Sequence, residues 1–140
     1  MYIDKFLQVS DAQTVTASAA STDVIDFGQG NPNTGMGDLT KMVITVDEGA
    51  TAAGAATITF AVQDSADNAT WADVVATGAT PKAALGAGQQ VVLPMPTRLR
   101  RYCRVNYTVG TGPLTAGKFS AQVVTGVQQN TPYPDSPRIA

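Results

Sequence analysis

The sequence predicts an all-β protein, an antiparallel sandwich of about eight strands, and three observations lead to this fold class. Short runs in which apolar and polar residues alternate recur along the chain, as in half-buried strands. Gly, Pro, Asn and Asp separate these runs and are typical of turns. Only 14% of the residues are charged, and the abundant Thr, Val and Gly disfavour helix. A chain of 140 residues has the size of one domain.

The alternating runs define the candidate strands. Residues 55–63 form the clearest run, because Ile58, Phe60 and Val62 share one face while small or polar residues occupy the other. Three further runs alternate in the same way, at 42–47, 103–109 and 119–123. Weaker candidates lie at 13–17, 23–27, 71–76 and 90–95. Eight strands at this spacing are typical of a sandwich or a barrel.

The two ends differ from the middle, so we expect three parts: an N-terminal arm at 1–11, the β-sandwich domain at 12–127 and a proline-rich C-terminal arm at 128–140. Pro132, Pro134 and Pro137 block sheet pairing in the tail and favour an extended chain. Two interpretations of the tail stay open, a disordered end and an arm that lies along a neighbouring subunit.

Composition excludes several classes of function. A net charge of −2 is too weak a field to hold a nucleic-acid backbone, so we expect no nucleic-acid partner. With no His and a single Cys, the chain lacks the common zinc-site patterns and an internal disulfide. The N-terminus shows no secretion signal, and no apolar run approaches the ~20 residues that span a bilayer. We expect no membrane partner, metal or cofactor, and synthesis in a reducing cytoplasm.

Catalytic groups are scarce, and the chain is predicted not to be an enzyme. Cys103 alternates with apolar residues on an inward face, which indicates a buried small hydrophobe rather than a nucleophile. Asp64, Asp67, Asn68 and Asp73 cluster around one loop and could offer oxygen ligands to calcium or acids to a hydrolase. Their spacing fits no EF-hand, and side chains that stabilise their own turn are the favoured interpretation.

Arginines form the densest chemical feature. Arg98, Arg100, Arg101 and Arg104 lie within seven positions. Two interpretations stay open: a partner-binding face, since arginine is enriched at interfaces, and a solvated loop and strand edge guarded by charge.

Several blocks of residues resemble a known family. They lie at 3–7, 10–13, 16–22 and 24–28 near the N-terminus, at 45–47 and 51–57 in the middle, and at 101–109 and 111–117 late in the chain. Together they resemble the capsid cement (decoration) protein family of tailed bacteriophages, which includes the Bordetella phage cement protein. The resemblance covers about residues 1–126 and carries no catalytic motif.

The resemblance implies a jelly-roll fold and a structural role in the virion. A protein of this kind is made in the host cytoplasm, binds the outer surface of the assembled head, and ties neighbouring major capsid proteins together against the pressure of packaged DNA. We expect a homo-oligomer, a dimer or a trimer. The expected contact residues are Tyr2, Ile3, Lys5, Phe6, Arg98, Arg100, Arg101, Tyr133 and Arg138. The alternative is a receptor- or glycan-binding module of a phage tail or fibre, which requires exposed aromatic rings.

Overall fold

The structure of the protein, a computed structural model, describes residues 3–32, 34 and 40–127. They form two antiparallel sheets packed face to face, which confirms the predicted all-β sandwich. The strands are β1 (Gln8–Thr14), β2 (Ala19–Ala20), β3 (Ile25–Asp26), β4 (Thr40–Thr51), β5 (Thr57–Ser65), β6 (Ala72–Ala76), β7 (Thr80–Pro81), β8 (Gln90–Pro94), β9 (Tyr102–Gly110) and β10 (Ala116–Thr125). Short 3₁₀ helices lie at Lys5–Leu7 and Lys82–Ala84. Within this part of the chain no helix is long and apolar enough to cross a membrane.

The ten strands occupy eight positions across the two sheets, four in each sheet, and we call each position a lane. Sheet A has the order β1-β10-β4-β8. Sheet B has β9 and β5 at its centre, with β2 and β3 in succession along the outer side of β9 and β6 and β7 along the outer side of β5. Three strands of only two residues each therefore share lanes, which is how ten strands agree with an expectation of about eight.

Alternation places one face of each sheet in a shared core. Phe60 on β5, Tyr107 on β9 and Phe119 on β10 are fully buried and meet at its centre. The ring of Phe60 lies edge-on to the other two, with centroids 5.8 Å from Tyr107 and 5.6 Å from Phe119. Three such rings bury a large apolar area and gain from the edge-to-face geometry. They join the two sheets.

The first strand begins earlier than the sequence indicated. β1 starts at Gln8 and pairs with β10, so residues 8–11, which the sequence assigned to the N-terminal arm, belong to sheet A. Two register irregularities interrupt this pairing, and Ala12 has a left-handed φ of 45°. Bulges shift side chains between faces, and for this reason the segment lacks a clean alternation.

One end of the sandwich gathers features that are distant in the sequence. There β4 begins opposite the end of β10, in the pair Thr40 and Thr125. The end of β5 lies opposite the start of β9, in the pair Ser65 and Tyr102. We call this end the tip and define it by residues 3–7, 27–32, 66–71 and 95–101. β10 also ends at the tip, at Thr125.

Candidate interaction surface at the tip

The N-terminal part of the tip is a fixed turn that presents apolar side chains to solvent. The Asp4 carboxylate accepts a hydrogen bond from the backbone N–H of Phe6 at 3.0 Å, and the Asp4 carbonyl accepts one from Leu7 at 3.0 Å. Such a cap holds the short helix in place. Phe6 nevertheless remains 90% exposed and Ile3 56% exposed. The side chains of Phe6 and Ile3 therefore project into solvent from an ordered backbone and do not pack in the core.

Lys5 belongs to the same turn, but its side chain points toward β1. Its ammonium group lies 3.1 Å from Gln8 Oε1 and 3.3 Å from Asp11 Oδ2. Lys5 and Asp11 are both exposed, so water and salt screen their ion pair. Lys5 is accessible to a partner, and this pair is its only ion pair among the described residues.

A shallow groove lies beside the turn. It is lined by Asp4, Leu7, Thr40 and residues 123–125. No sequence pattern predicts this groove, because it joins the start of β4 to the end of β10 and its lining residues are far apart in the chain. Thr40 and residues 123–125 belong to sheet A, and Asp4 and Leu7 come from the N-terminal turn.

Arg100 anchors the connection between β8 and β9. Asp64, at the end of β5, is almost fully buried and accepts hydrogen bonds from the Arg100 backbone N–H at 2.9 Å, from Nε at 2.9 Å and from Nη2 at 2.6 Å. Burial acts to raise the pKa of Asp64, but the hydrogen bonds from Arg100 outweigh it and the pKa lies below its ordinary value. These hydrogen bonds fix the β8–β9 connection against the end of β5.

Arg101 also has an intramolecular partner. Its Nε and Nη2 bind the two carboxylate oxygens of Asp26 at 2.8 and 2.9 Å, and its guanidinium lies 5.0 Å from the centre of the Tyr102 ring. The same hydrogen bonds lower the pKa of Asp26. Sequence reasoning missed both aspartates as arginine partners, since each is distant in the chain.

Arg104 lies on the outer face of sheet B. Its guanidinium stacks 4.0 Å from the centre of the Trp71 ring, and Nε donates to Gln63 Oε1 at 2.8 Å. Trp71 is only half-buried, but Arg104 covers one face of its ring. That face is not open to stack on a sugar, as the glycan-binding alternative requires.

The structure therefore divides the predicted contact residues. Ile3, Lys5 and Phe6 are exposed together on the N-terminal turn, while Arg100 and Arg101 are held by aspartates. Arg98 is exposed and forms no ion pair with any described residue. The other predicted contacts, Tyr2, Tyr133 and Arg138, lie outside the described residues.

The acidic loop is a turn. Asp67 Oδ1 accepts from the backbone N–H groups of Ala69 at 3.0 Å and Thr70 at 2.8 Å, and also binds the Ser65 hydroxyl. These hydrogen bonds hold the pKa of Asp67 well below its usual range. Asp73 instead binds the Gln63 amide at 2.7 Å. Each aspartate has its own partner, and residues 3–32, 34 and 40–127 contain no cluster of His, Cys, Asp or Glu that could hold a metal ion.

Cys103 has the environment of a core residue. Its side chain is 0% exposed in the hydrophobic cluster. Burial, assisted by the negative charge of Asp64, raises the pKa of Cys103 to about 12. The thiol therefore stays protonated at neutral pH and does not act as a nucleophile.

Comparison with known proteins identifies the family. Residues 9–123 match Bbp16, a Bordetella phage protein family. The chain belongs to the Bbp16 family. It is accordingly a phage structural protein associated with the virion, and family and fold fit a non-enzymatic role.

Other comparisons add little to this assignment. No curated protein matches the chain. Among solved structures it is similar to PBSX exported protein XepA, with 17% sequence identity and a TM-score of 0.36 over 91% of this chain and 42% of that chain. The chain thus spans less than half the length of that protein, and a likeness at this level bears on neither family nor function.

Proposed function

We propose that this Bbp16-family protein binds the outer surface of the assembled phage head and cements neighbouring major capsid proteins. Membership of a phage structural family supports the general class. The observation that carries the specific role is the N-terminal turn, on which Asp4 fixes the backbone while Phe6 and Ile3 project into solvent. An exposed ring on an ordered segment loses no further backbone entropy when it enters a pocket of a partner.

A jelly roll suits this role, and we infer that fold from the lane order. Numbered along the chain, the lanes run 1-8-3-6 in sheet A and 2-7-4-5 in sheet B, when β2 and β3 share lane 2 and β6 and β7 share lane 5. Every connection except that between lanes 4 and 5 crosses from one sheet to the other. Eight antiparallel lanes wound through two sheets in this way are the arrangement of a jelly roll.

Cementing follows from mass action. A protein that binds the closed lattice but not separated capsomers stabilises the lattice in proportion to its binding free energy. A contact that spans several capsid subunits would bury on the order of 1,000–2,000 Å². We further propose that the protein acts as a closed homo-oligomer, a dimer or a trimer, because several attachment points on one symmetric object raise the overall affinity.

The experiment measures binding to purified heads that lack the protein. The double variant Ile3→Asp/Phe6→Asp replaces two exposed side chains, so the fold should be unaffected, and we expect much less protein to sediment with the heads. Val74→Asp is the matched control, since Val74 is also an exposed hydrophobic, at 38%, but lies on β6 of sheet B, whereas the N-terminal turn leads into β1 of sheet A. Equal occupancy of the tip variant and the wild type would exclude the turn as the contact. Binding to tails instead of heads would support the receptor-binding alternative.

A further inference from the structure

Three of the four lateral edges of the sandwich carry features that prevent strand pairing. The β1 edge is interrupted by register irregularities and carries Asp11. The β2 and β3 edge consists of two-residue strands. The β6 and β7 edge is also divided between two strands. It has a register irregularity between the pairs Val62–Val75 and Gln63–Asp73, and a proline, Pro81, at its far end. Bulges, charges and short strands are the usual means of blocking pairing at an edge.

The β8 edge has none of these features up to its last residue. Its sequence is QVVLP, it has no charge, and it pairs with β4 in an uninterrupted register from Lys41 opposite Pro94 to Thr45 opposite Gln90. In the described part of the chain β8 is the outermost strand of sheet A. A regular, uncharged edge of this kind is a template for another strand.

The hydrogen-bond pattern shows which backbone groups face outward. The backbone N–H of Val46 donates to the carbonyl of Gln89, and the backbone N–H of Met95 donates to the carbonyl of Thr40. Hydrogen-bonded pairs recur at every second residue of an antiparallel ladder, so Val91 and Leu93 also bond to β4. The N–H and C=O groups of Gln90 and Val92 and the C=O group of Pro94 therefore point to the free edge.

We propose that two copies of this chain associate through antiparallel pairing of β8 with β8, on a two-fold axis at Val92. In that register the two Val92 residues exchange both backbone hydrogen bonds, and each Gln90 N–H donates to the Pro94 carbonyl of the other copy. This gives four hydrogen bonds between chains. Sheet A of one copy continues into sheet A of the other as one eight-lane sheet.

The proline selects a second copy over an unrelated strand. Pro94 has no N–H to donate, and in the symmetric register it stands at both ends of the paired segment, where only its carbonyl is needed. Val92, whose backbone groups face outward, is also the middle residue of the five-residue strand. An antiparallel copy centred on Val92 therefore places the outward groups of each strand opposite those of the other, as an isologous interface requires. The pairing does not depend on binding to the head.

The first test is the oligomeric state of the purified protein by analytical ultracentrifugation over a concentration series. We expect a dimer for the wild type and a monomer for Val92→Pro, which removes the central outward N–H. Proline is tolerated where the N–H of an edge strand faces out. Val92→Thr keeps the N–H and should remain a dimer. A monomeric or trimeric wild type, or a dimeric Val92→Pro, would overturn the proposal.

A cross-link tests the register without relying on the fold of the proline variant. Cα atoms of a hydrogen-bonded antiparallel pair lie about 5.5 Å apart, within the range that a disulfide spans. Val92→Cys should form a covalent dimer on mild oxidation. Gln90→Cys should not, because four residues of offset separate its Cα from its copy by about 14 Å. Equal cross-linking of both variants, or of neither, would refute the two-fold at Val92. The native Cys103 is buried and does not interfere.

Discussion

A buried hydrogen-bond relay between the two sheets offers the sharpest test of the fold's energetics. The Tyr107 hydroxyl on β9 donates to Ser10 Oγ on β1 at 2.8 Å, and Ser10 Oγ donates to Gln13 Oε1 at 2.8 Å. Gln13 Nε2 continues the relay to the carbonyl of Ala20 at 2.8 Å. Both Tyr107 and Ser10 are 0% exposed, so neither hydroxyl can turn to bulk water when its partner is removed.

The two single variants should therefore differ in cost. Tyr107→Phe removes one donor and should lower the free energy of unfolding by about 1 kcal/mol. Ser10→Ala leaves the phenol buried without an acceptor and should cost about 2–3 kcal/mol, which corresponds to roughly 6–15 °C in the melting midpoint. In the double variant the stranded phenol is absent, so its cost should fall below the sum of the single costs by about 1 kcal/mol.

Urea unfolding of the four proteins measures this coupling. Tyr102→Phe is the matched control, because Tyr102 lies on the outer face of the same strand and its hydroxyl has no hydrogen-bond partner among the described residues; it should change stability by less than about 0.5 kcal/mol. Additive costs for Tyr107→Phe and Ser10→Ala would refute the relay.

The same tyrosine predicts an alkaline limit to stability. Burial raises the pKa of Tyr107 to about 12 in the folded protein, whereas the phenol of an unfolded chain titrates near ~10. The folded protein therefore holds the phenol proton of Tyr107 more tightly than the unfolded chain does. The resulting contribution to the free energy of unfolding is complete below about pH 10 and is lost as the pH rises from about 10 toward 12. The stability difference between the wild type and Tyr107→Phe should shrink across that interval.

Three further variants or probes test the described contacts. Asp64→Asn should lower the melting midpoint at neutral pH. Because the folded pKa of Asp64 is lowered, the difference in midpoint between variant and wild type should vanish as acid protonates the carboxylate. An unchanged midpoint at neutral pH would mean that the hydrogen bonds from Arg100 to Asp64 do not stabilise the fold. Cys103 should react with a thiol reagent at least ~100-fold more slowly in the native protein than in urea, as a raised pKa and full burial require. Arg104→Ala should shift the fluorescence of Trp71, the single tryptophan, to longer wavelength, whereas an unchanged spectrum would contradict the stacking geometry.

Alternation was sufficient to predict the long central strands. β4, β5, β9 and β10 each keep one apolar face in the core, and a period of two is visible wherever a strand is regular. β1 was missed in part because its bulges put Val9 and Ser10 both in buried positions. Short strands such as β2 and β7 contribute only two residues each, which is too little for any periodicity.

The arginine cluster shows what sequence could not supply. Four arginines within seven positions predict a basic surface, but their partners are set by the fold: Arg100 meets Asp64 across 36 positions and Arg101 meets Asp26 across 75. Such pairs form only after β3, β5 and β9 are assembled in one sheet. The exposure of Phe6 and Ile3 agrees with the expectation for an N-terminal contact segment, although Leu7 of the same segment packs against the core.

A cryo-EM map of the assembled head tests the cementing role most directly. We expect density for the sandwich on the outer surface at junctions between capsomers, with the N-terminal turn around Phe6 against a major capsid protein. Density for this chain confined to the tail, or its absence from the head surface, would contradict the proposed function.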